Sequence, residues 1–116
     1  MLDFYVDPTS ITMFSKTTCP YCIKAKELLH EYPVTLQIYE LDNISNGQYV
    51  ANDLKKQTNR STVPNIFVFG KNIGGYEELK RMASSGELSS VIMTHTKSPV
   101  NFDYFNNGFS DWGAPT

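Results

Sequence analysis

Ile11-Thr12-Met13-Phe14-Ser15-Lys16-Thr17-Thr18-Cys19-Pro20-Tyr21-Cys22-Ile23-Lys24-Ala25-Lys26-Glu27-Leu28-Leu29 holds both cysteines of the chain. An apolar strand-like run, Ile11 to Phe14, leads into it, and a helical pattern leaves it. Pro20 suits the first helical position, because its φ is already helical and its missing N–H would have no partner there. Cys19 then sits at the N-terminal end of the helix, where free N–H groups and the positive dipole end stabilise a thiolate. Cys22 lies about one turn on, placed to attack a mixed disulfide on Cys19. The stretch reads as a redox dithiol.

The totals agree with one globular domain. The chain has 116 residues, 41% hydrophobic and 19% charged, with a net charge of −2. That balance exerts no general pull on nucleic acid or an anionic membrane. No apolar run approaches the roughly 18 residues needed to span a bilayer. The opening residues carry acids and lack a basic flank, so they do not read as a signal peptide. Two cysteines spaced C-x-x-C are not the pattern of a disulfide-stapled secreted scaffold. The expected compartment is reducing, hence cytoplasmic. The alternative is the secretory pathway, if the chain is a piece of a longer one. Asn43-Ile44-Ser45 and Asn59-Arg60-Ser61 match the glycosylation tripeptide and bear only on that alternative.

Pro8 and Thr9-Ser10 leave room for at most one helical turn before the first strand, about 11–15. The first helix runs from about 20 to 31, with Ile23, Ala25, Leu28 and Leu29 available to the core, and Tyr32-Pro33 ends it. Leu36 to Leu41 alternates apolar and polar and reads as a second strand. After a turn-rich loop, a second helix at about 48–58 offers Tyr49, Val50 and Leu54. Asn65 to Phe69 is a third strand, and Gly70-Lys71-Asn72 turns it into a short fourth strand at Ile73. Helices follow at about 76–84 and 87–94, the last offering Leu88, Val91 and Ile92. The order β-α-β-α-β-β-α-α predicts an α/β fold: a mixed four-stranded sheet with helices on both faces, the thioredoxin-like arrangement.

Residues 1–96 form this domain, and 97–116 read as a separate C-terminal tail. Its Ser98-Pro99, Asn106-Asn107-Gly108 and Gly113-Ala114-Pro115 break any periodicity. Phe102, Tyr104, Phe105, Phe109 and Trp112 make it too aromatic for a plain linker. It reads either as a segment partly disordered or packed on the domain, or as a docking segment.

C-x-x-C serves redox chemistry or zinc. A structural zinc site needs four Cys or His ligands, and His30 and His95 are the only further candidates. The proline inside the motif and the strand-to-helix position favour redox, so no metal is assigned. Lys16, three residues before Cys19, adds a cation that favours the thiolate, or is simply solvated. In Val63-Pro64 the proline cannot donate to a strand ladder. A cis bond there would turn a backbone edge towards the cysteines, whereas a trans bond would make it an ordinary turn proline.

Taken together, these residues resemble the dithiol glutaredoxins. Ser15 to Cys22 is similar to the family's active site, Thr62-Val63-Pro64-Asn65-Ile66-Phe67 to its cis-proline loop, and Gly70-Lys71-Asn72-Ile73-Gly74-Gly75 to its hairpin and glycine pair. The resemblance covers about residues 10–95. It implies a glutathione-dependent thiol–disulfide oxidoreductase that reduces protein–glutathione mixed disulfides and small disulfides, working as a monomer. Cys19 is then the nucleophile and Cys22 the resolving thiol. The implied glutathione site is Lys16, Tyr21, Arg60, Thr62, Val63, Pro64, Gly75, Tyr76 and Glu77. Val63 would pair with the cysteinyl backbone, Lys16 and Arg60 would meet one carboxylate, and the helix start at Gly75-Tyr76-Glu77 would meet the other.

Departures from the family pattern are visible. The arginine that usually precedes Thr-Val-Pro is Ser61, with Arg60 one position earlier. Tyr76-Glu77-Glu78 follows the glycine pair and reads as a poorer helix cap, with acids beside a carboxylate site. The family's helical glutamine falls near Ala51-Asn52. Tyr49 and the tail are also similar to fungal secretory-pathway glutaredoxins, which carry a membrane anchor. Two rival readings follow: a glutathione-ligated [2Fe–2S] dimer with Cys19 as protein ligand, and a weakly catalytic interaction module working through the tail.

Overall fold

The structure is a computed structural model that describes residues 2–96. The expectations for the tail at 97–116 lie outside the described residues. A 3-10 turn at Leu2–Phe4 precedes β1 (Ile11–Ser15), α1 (Pro20–His30), β2 (Leu36–Glu40), α2 (Gly47–Thr58), β3 (Asn65–Val68), β4 (Lys71–Gly74), α3 (Tyr76–Ser85) and α4 (Glu87–Thr96). The sheet runs in the order β2-β1-β3-β4. β1 pairs parallel with β2 through the α1 crossover and antiparallel with β3, and β3 pairs antiparallel with β4. This is the thioredoxin-like mixed sheet.

β1 is central, and all five of its residues are buried. A strand alternates its side chains between faces, so full burial requires a layer on each side. Ile11 and Met13 join Ala25 and Leu29 of α1, Leu79 of α3, and Leu88 and Ile92 of α4 in one core. Phe14 faces the other way, with Leu2, Leu41, Phe67 and the α2 residues Val50 and Leu54. Thr12 is the polar member of the strand, and its hydroxyl is occupied by the Asp7 N–H at 3.3 Å.

Three local expectations are corrected. Ile23 is 49% exposed and Tyr49 70% exposed. On α1 the buried stripe is Cys22, Ala25 and Leu29, and on α2 it is Gly47, Val50 and Leu54. Each stripe steps by three and then four residues, and both misassigned side chains stand off it. In the hairpin, Val68 pairs with Lys71, so the turn is Phe69-Gly70 rather than Gly70-Lys71-Asn72. Both turn residues have positive φ, 49° and 87°, as a two-residue connection of right-handed twisted strands demands. The Phe69 ring stacks on His95 of α4, with centroids 3.7 Å apart and planes 8° from parallel.

Among the described residues no helix is long and apolar enough to cross a membrane. Gly47, the first residue of α2, abuts the chain leaving β2. A Cβ there would lie 1.8 Å from the Leu41 carbonyl oxygen, a clash with backbone that no rotamer relieves. Gly47→Ala is therefore expected to lower stability by about 2 kcal/mol or more, read as a shifted urea midpoint. A midpoint equal to that of the parent protein would show that the α2 start is free to move.

Candidate active site

Chain reversal from β1 into α1 places Cys19 as the N-cap of the helix, extended at φ −93° and ψ 112°, with Pro20 in the first turn. The Cys22 N–H donates to the Cys19 sulfur at 3.1 Å. An N-cap side chain commonly accepts such a bond, and here a sulfur takes the place of the usual oxygen. The Cys19 N–H donates to the Lys16 carbonyl at 3.1 Å, closing the turn before the helix. Both cysteines are free thiols, with Cys19 part-exposed and Cys22 fully buried. Burial pushes the Cys22 thiol up from its ordinary value, and its hydrogen bond with Cys19 adds to the rise.

β3 runs antiparallel to β1, so the start of β3 lies beside the end of β1. That juxtaposition brings Val63-Pro64 to the thiols. The bond between them is cis, and the Cys19 thiol donates to the Val63 carbonyl at 3.6 Å. Of the two readings left open for Pro64, the cis form is the one present.

The start of α3 forms the third side. Tyr21 and Tyr76 face one another with ring centroids 5.9 Å apart, and Lys24 holds its ammonium 5.4 Å from the Tyr21 centroid, within cation–π range. Gly75 leaves space that Arg60 and Pro64 fill: a Cβ there would meet the Arg60 guanidinium at 3.0 Å and the Pro64 carbonyl at 3.2 Å. Arg60 thus reaches the glycine pair from its position before Ser61.

Glu78, absent from the expected site, completes this corner. Its Oε1 accepts from the Gly75 N–H at 2.8 Å, and its Oε2 lies 3.6 Å from Arg60 and 3.7 Å from Arg81. The Gly75 bond, with the two arginines adding, holds the Glu78 carboxyl below the usual range. The expectation of a poor cap at Tyr76-Glu77-Glu78 is corrected here. A glutamate three residues into the helix reaches back to the N-cap N–H, and that spacing was present in the sequence.

Lys16 is exposed, and its charge acts on Asp42. The Asp42 carboxylate accepts from the Thr17 hydroxyl and backbone N–H, which hold it below its ordinary value. Thr62 and Glu77 are exposed and, among the described residues, their side chains make no hydrogen bond or ion pair. Also among the described residues, no three His, Cys, Asp or Glu side chains are grouped to hold a metal ion.

Comparison with known proteins gives the same chemistry. The glutaredoxin family model matches residues 11–73. Glutaredoxin-1 of Rhizophagus irregularis is 42% identical over 87 residues, 75% of this chain and 86% of that protein. Glutaredoxin-2 of Schizosaccharomyces pombe is 43% identical over 82 residues, 71% of this chain and 74% of that protein. Among solved structures, a buckwheat glutaredoxin–glutathione complex superposes with a TM-score of 0.75 at 32% identity, covering 80% of this chain and 84% of that one. A part-exposed thiol at a helix start, backed by a buried thiol one turn on, makes and breaks disulfides, and with these relatives the chain belongs to the glutaredoxin family of glutathione-dependent thiol–disulfide oxidoreductases, with Cys19 and Cys22 as its redox pair.

Proposed function

We propose that the chain reduces protein–glutathione mixed disulfides and small disulfides, with Cys19 as the attacking sulfur and Cys22 as the resolving one. The observation that carries this assignment is the difference in burial: Cys19 is part-exposed and Cys22 is at 0% exposure. Only Cys19 can meet an incoming disulfide. Its thiolate attacks the glutathionyl sulfur, a Cys19–glutathione disulfide forms, and the protein substrate leaves as a thiolate. A second glutathione then resolves the intermediate, or Cys22 does so by closing the intramolecular disulfide. The rate depends on the thiolate fraction and the leaving thiol.

Glutathione is an extended peptide with two carboxylates. The backbone edge at Val63-Pro64 suits its cysteinyl part, as a strand added to a strand. One carboxylate falls to Lys16 and Arg60, the other to the α3 start at Gly75, Tyr76 and Glu77, with Thr62 at the rim. Tyr21 and Tyr76 flank the entry. Arg60 lies against Gly75, and a guanidinium binds carboxylate through charge-assisted bonds, which supports a carboxylate site in this corner. The enzyme works as a monomer, and a reducing compartment such as the cytoplasm would keep its dithiol ready.

In a glutathione-coupled assay of mixed-disulfide reduction, Cys19→Ser is expected to abolish turnover, while Cys22→Ser keeps most of it. Full activity in Cys19→Ser would reverse the two roles. Arg60→Ala is expected to raise the KM for glutathionylated substrate roughly tenfold with little change in kcat, the loss of one charge-assisted bond. An unchanged KM would remove Arg60 from the binding site.

A further inference from the structure

Two of the three ion pairs among the described residues end on one atom, Oε2 of Glu78, which lies 3.6 Å from the Arg60 guanidinium and 3.7 Å from that of Arg81. Its other oxygen, Oε1, accepts from the Gly75 N–H at 2.8 Å. The glycine pair gives this arrangement its room. A Cβ on Gly74 would lie 2.9 Å from the Glu78 carboxyl carbon, and one on Gly75 would lie 3.0 Å from the Arg60 guanidinium. A side chain at either position would press on the carboxylate or on the guanidinium. The two glycines form the floor of one Arg60–Glu78 contact, with the acid supplied by α3 and the base by the loop after α2.

Helix capping explains Oε1 but not Oε2. A glutamate three residues past the N-cap needs one oxygen for the N-cap N–H, and the second is free to face water. Here it faces two guanidinium groups instead. The contact with Arg60 is an open one. Its 3.6 Å separation exceeds the roughly 2.7–2.9 Å of a charge-assisted hydrogen bond, and both side chains are partly exposed, at 34% and 36%. Ion pairs of this kind are weak. A carboxylate that meets a guanidinium with both oxygens forms the stronger, forked pair. Arg60 is thus a carboxylate-binding group that already holds a carboxylate, and a better-placed one can displace it.

We propose that Glu78 is an internal competitor for the glutathione carboxylate assigned to Arg60, and so sets how strongly the enzyme prefers glutathionylated substrates over disulfides that lack a carboxylate. In the free protein Arg60 is paired with Glu78. When substrate binds, its carboxylate takes over the guanidinium, while Glu78 keeps the Gly75 N–H and Arg81. Arg81 gives the displaced oxygen a partner, since it meets the same Oε2 from one turn along α3. The exchange makes and breaks ion pairs only. Glu78 weakens glutathione binding, and because it acts through Arg60 it is a positioning residue for specificity. The inference rests on the reading above that Arg60 receives a glutathione carboxylate.

The test is glutathione-coupled turnover of a glutathionylated peptide. The reference is single-turnover reduction of hydroxyethyl disulfide, which has no carboxylate, in the absence of glutathione. Glu78→Gln keeps an amide oxygen for the Gly75 N–H and removes the charge that holds Arg60. It is expected to lower the KM for the peptide at least about threefold, and to raise the preference for peptide over hydroxyethyl disulfide by the same factor. The Kd of S-methylglutathione, which has both carboxylates and no disulfide, should fall in parallel. Glu87→Gln makes the same change of net charge at the exposed start of α4 and should leave KM where it is. In an Arg60→Ala background the gain from Glu78→Gln should vanish. An equal fall with Glu87→Gln, or a gain that survives Arg60→Ala, would overturn the proposal. If Arg60→Ala raises KM and Glu78→Gln does not lower it, the competitor role alone falls. If Arg60→Ala leaves KM unchanged, the carboxylate assignment falls, and this proposal with it.

Discussion

Strand β1 is covered on both faces, and the active site depends on that constraint. Its five residues are all buried, and burying a large apolar side chain is worth about 1.5–3 kcal/mol. A slip of one residue would turn Ile11 and Met13 towards the layer that receives Phe14, and the reverse. The end of β1 is therefore a fixed point, and the chain must turn there into α1. Because β3 lies antiparallel to it, the same end of the sheet also receives Val63-Pro64. Cys19 meets the Val63 carbonyl as a consequence of strand order rather than of any local preference.

The two cysteines differ through the same packing. Cys19 is outside the helix proper, extended and part-exposed, whereas Cys22 falls on the stripe that continues through Ala25 and Leu29. Helix periodicity thus buries one thiol and leaves the other in reach of solvent. Burial favours the uncharged form of Cys22, so the second thiol stays protonated until a disulfide on Cys19 calls on it.

Element order and boundaries were legible along the chain to within a residue or two, because each signal is local: proline at a helix start, alternation in strands, glycine at turns. Errors arose where a local pattern needed a neighbour to interpret it. Ile23 and Tyr49 are apolar residues on genuine helices, and only the direction of the sheet tells which face is inward. Phe69 reads as the last strand residue, yet the register with β4 puts it in a positive-φ turn, where stacking on His95 of α4 accompanies it. Glu78 carried a readable capping spacing, three residues past Gly75.

The sequence by itself determined the α/β class, the redox motif, the chain position of both thiols and the Val-Pro loop. Each of these follows from residues within a turn or a strand of one another. Tertiary structure decided what those residues meet. Arg60 against Gly75, Glu78 between two arginines, Tyr21 across from Tyr76, and the Lys26–Glu40 pair between α1 and β2 join residues that mostly lie far apart in the chain. Their contacts depend on strand order, register and helix rotation, which emerge when the cores close on both sides of β1.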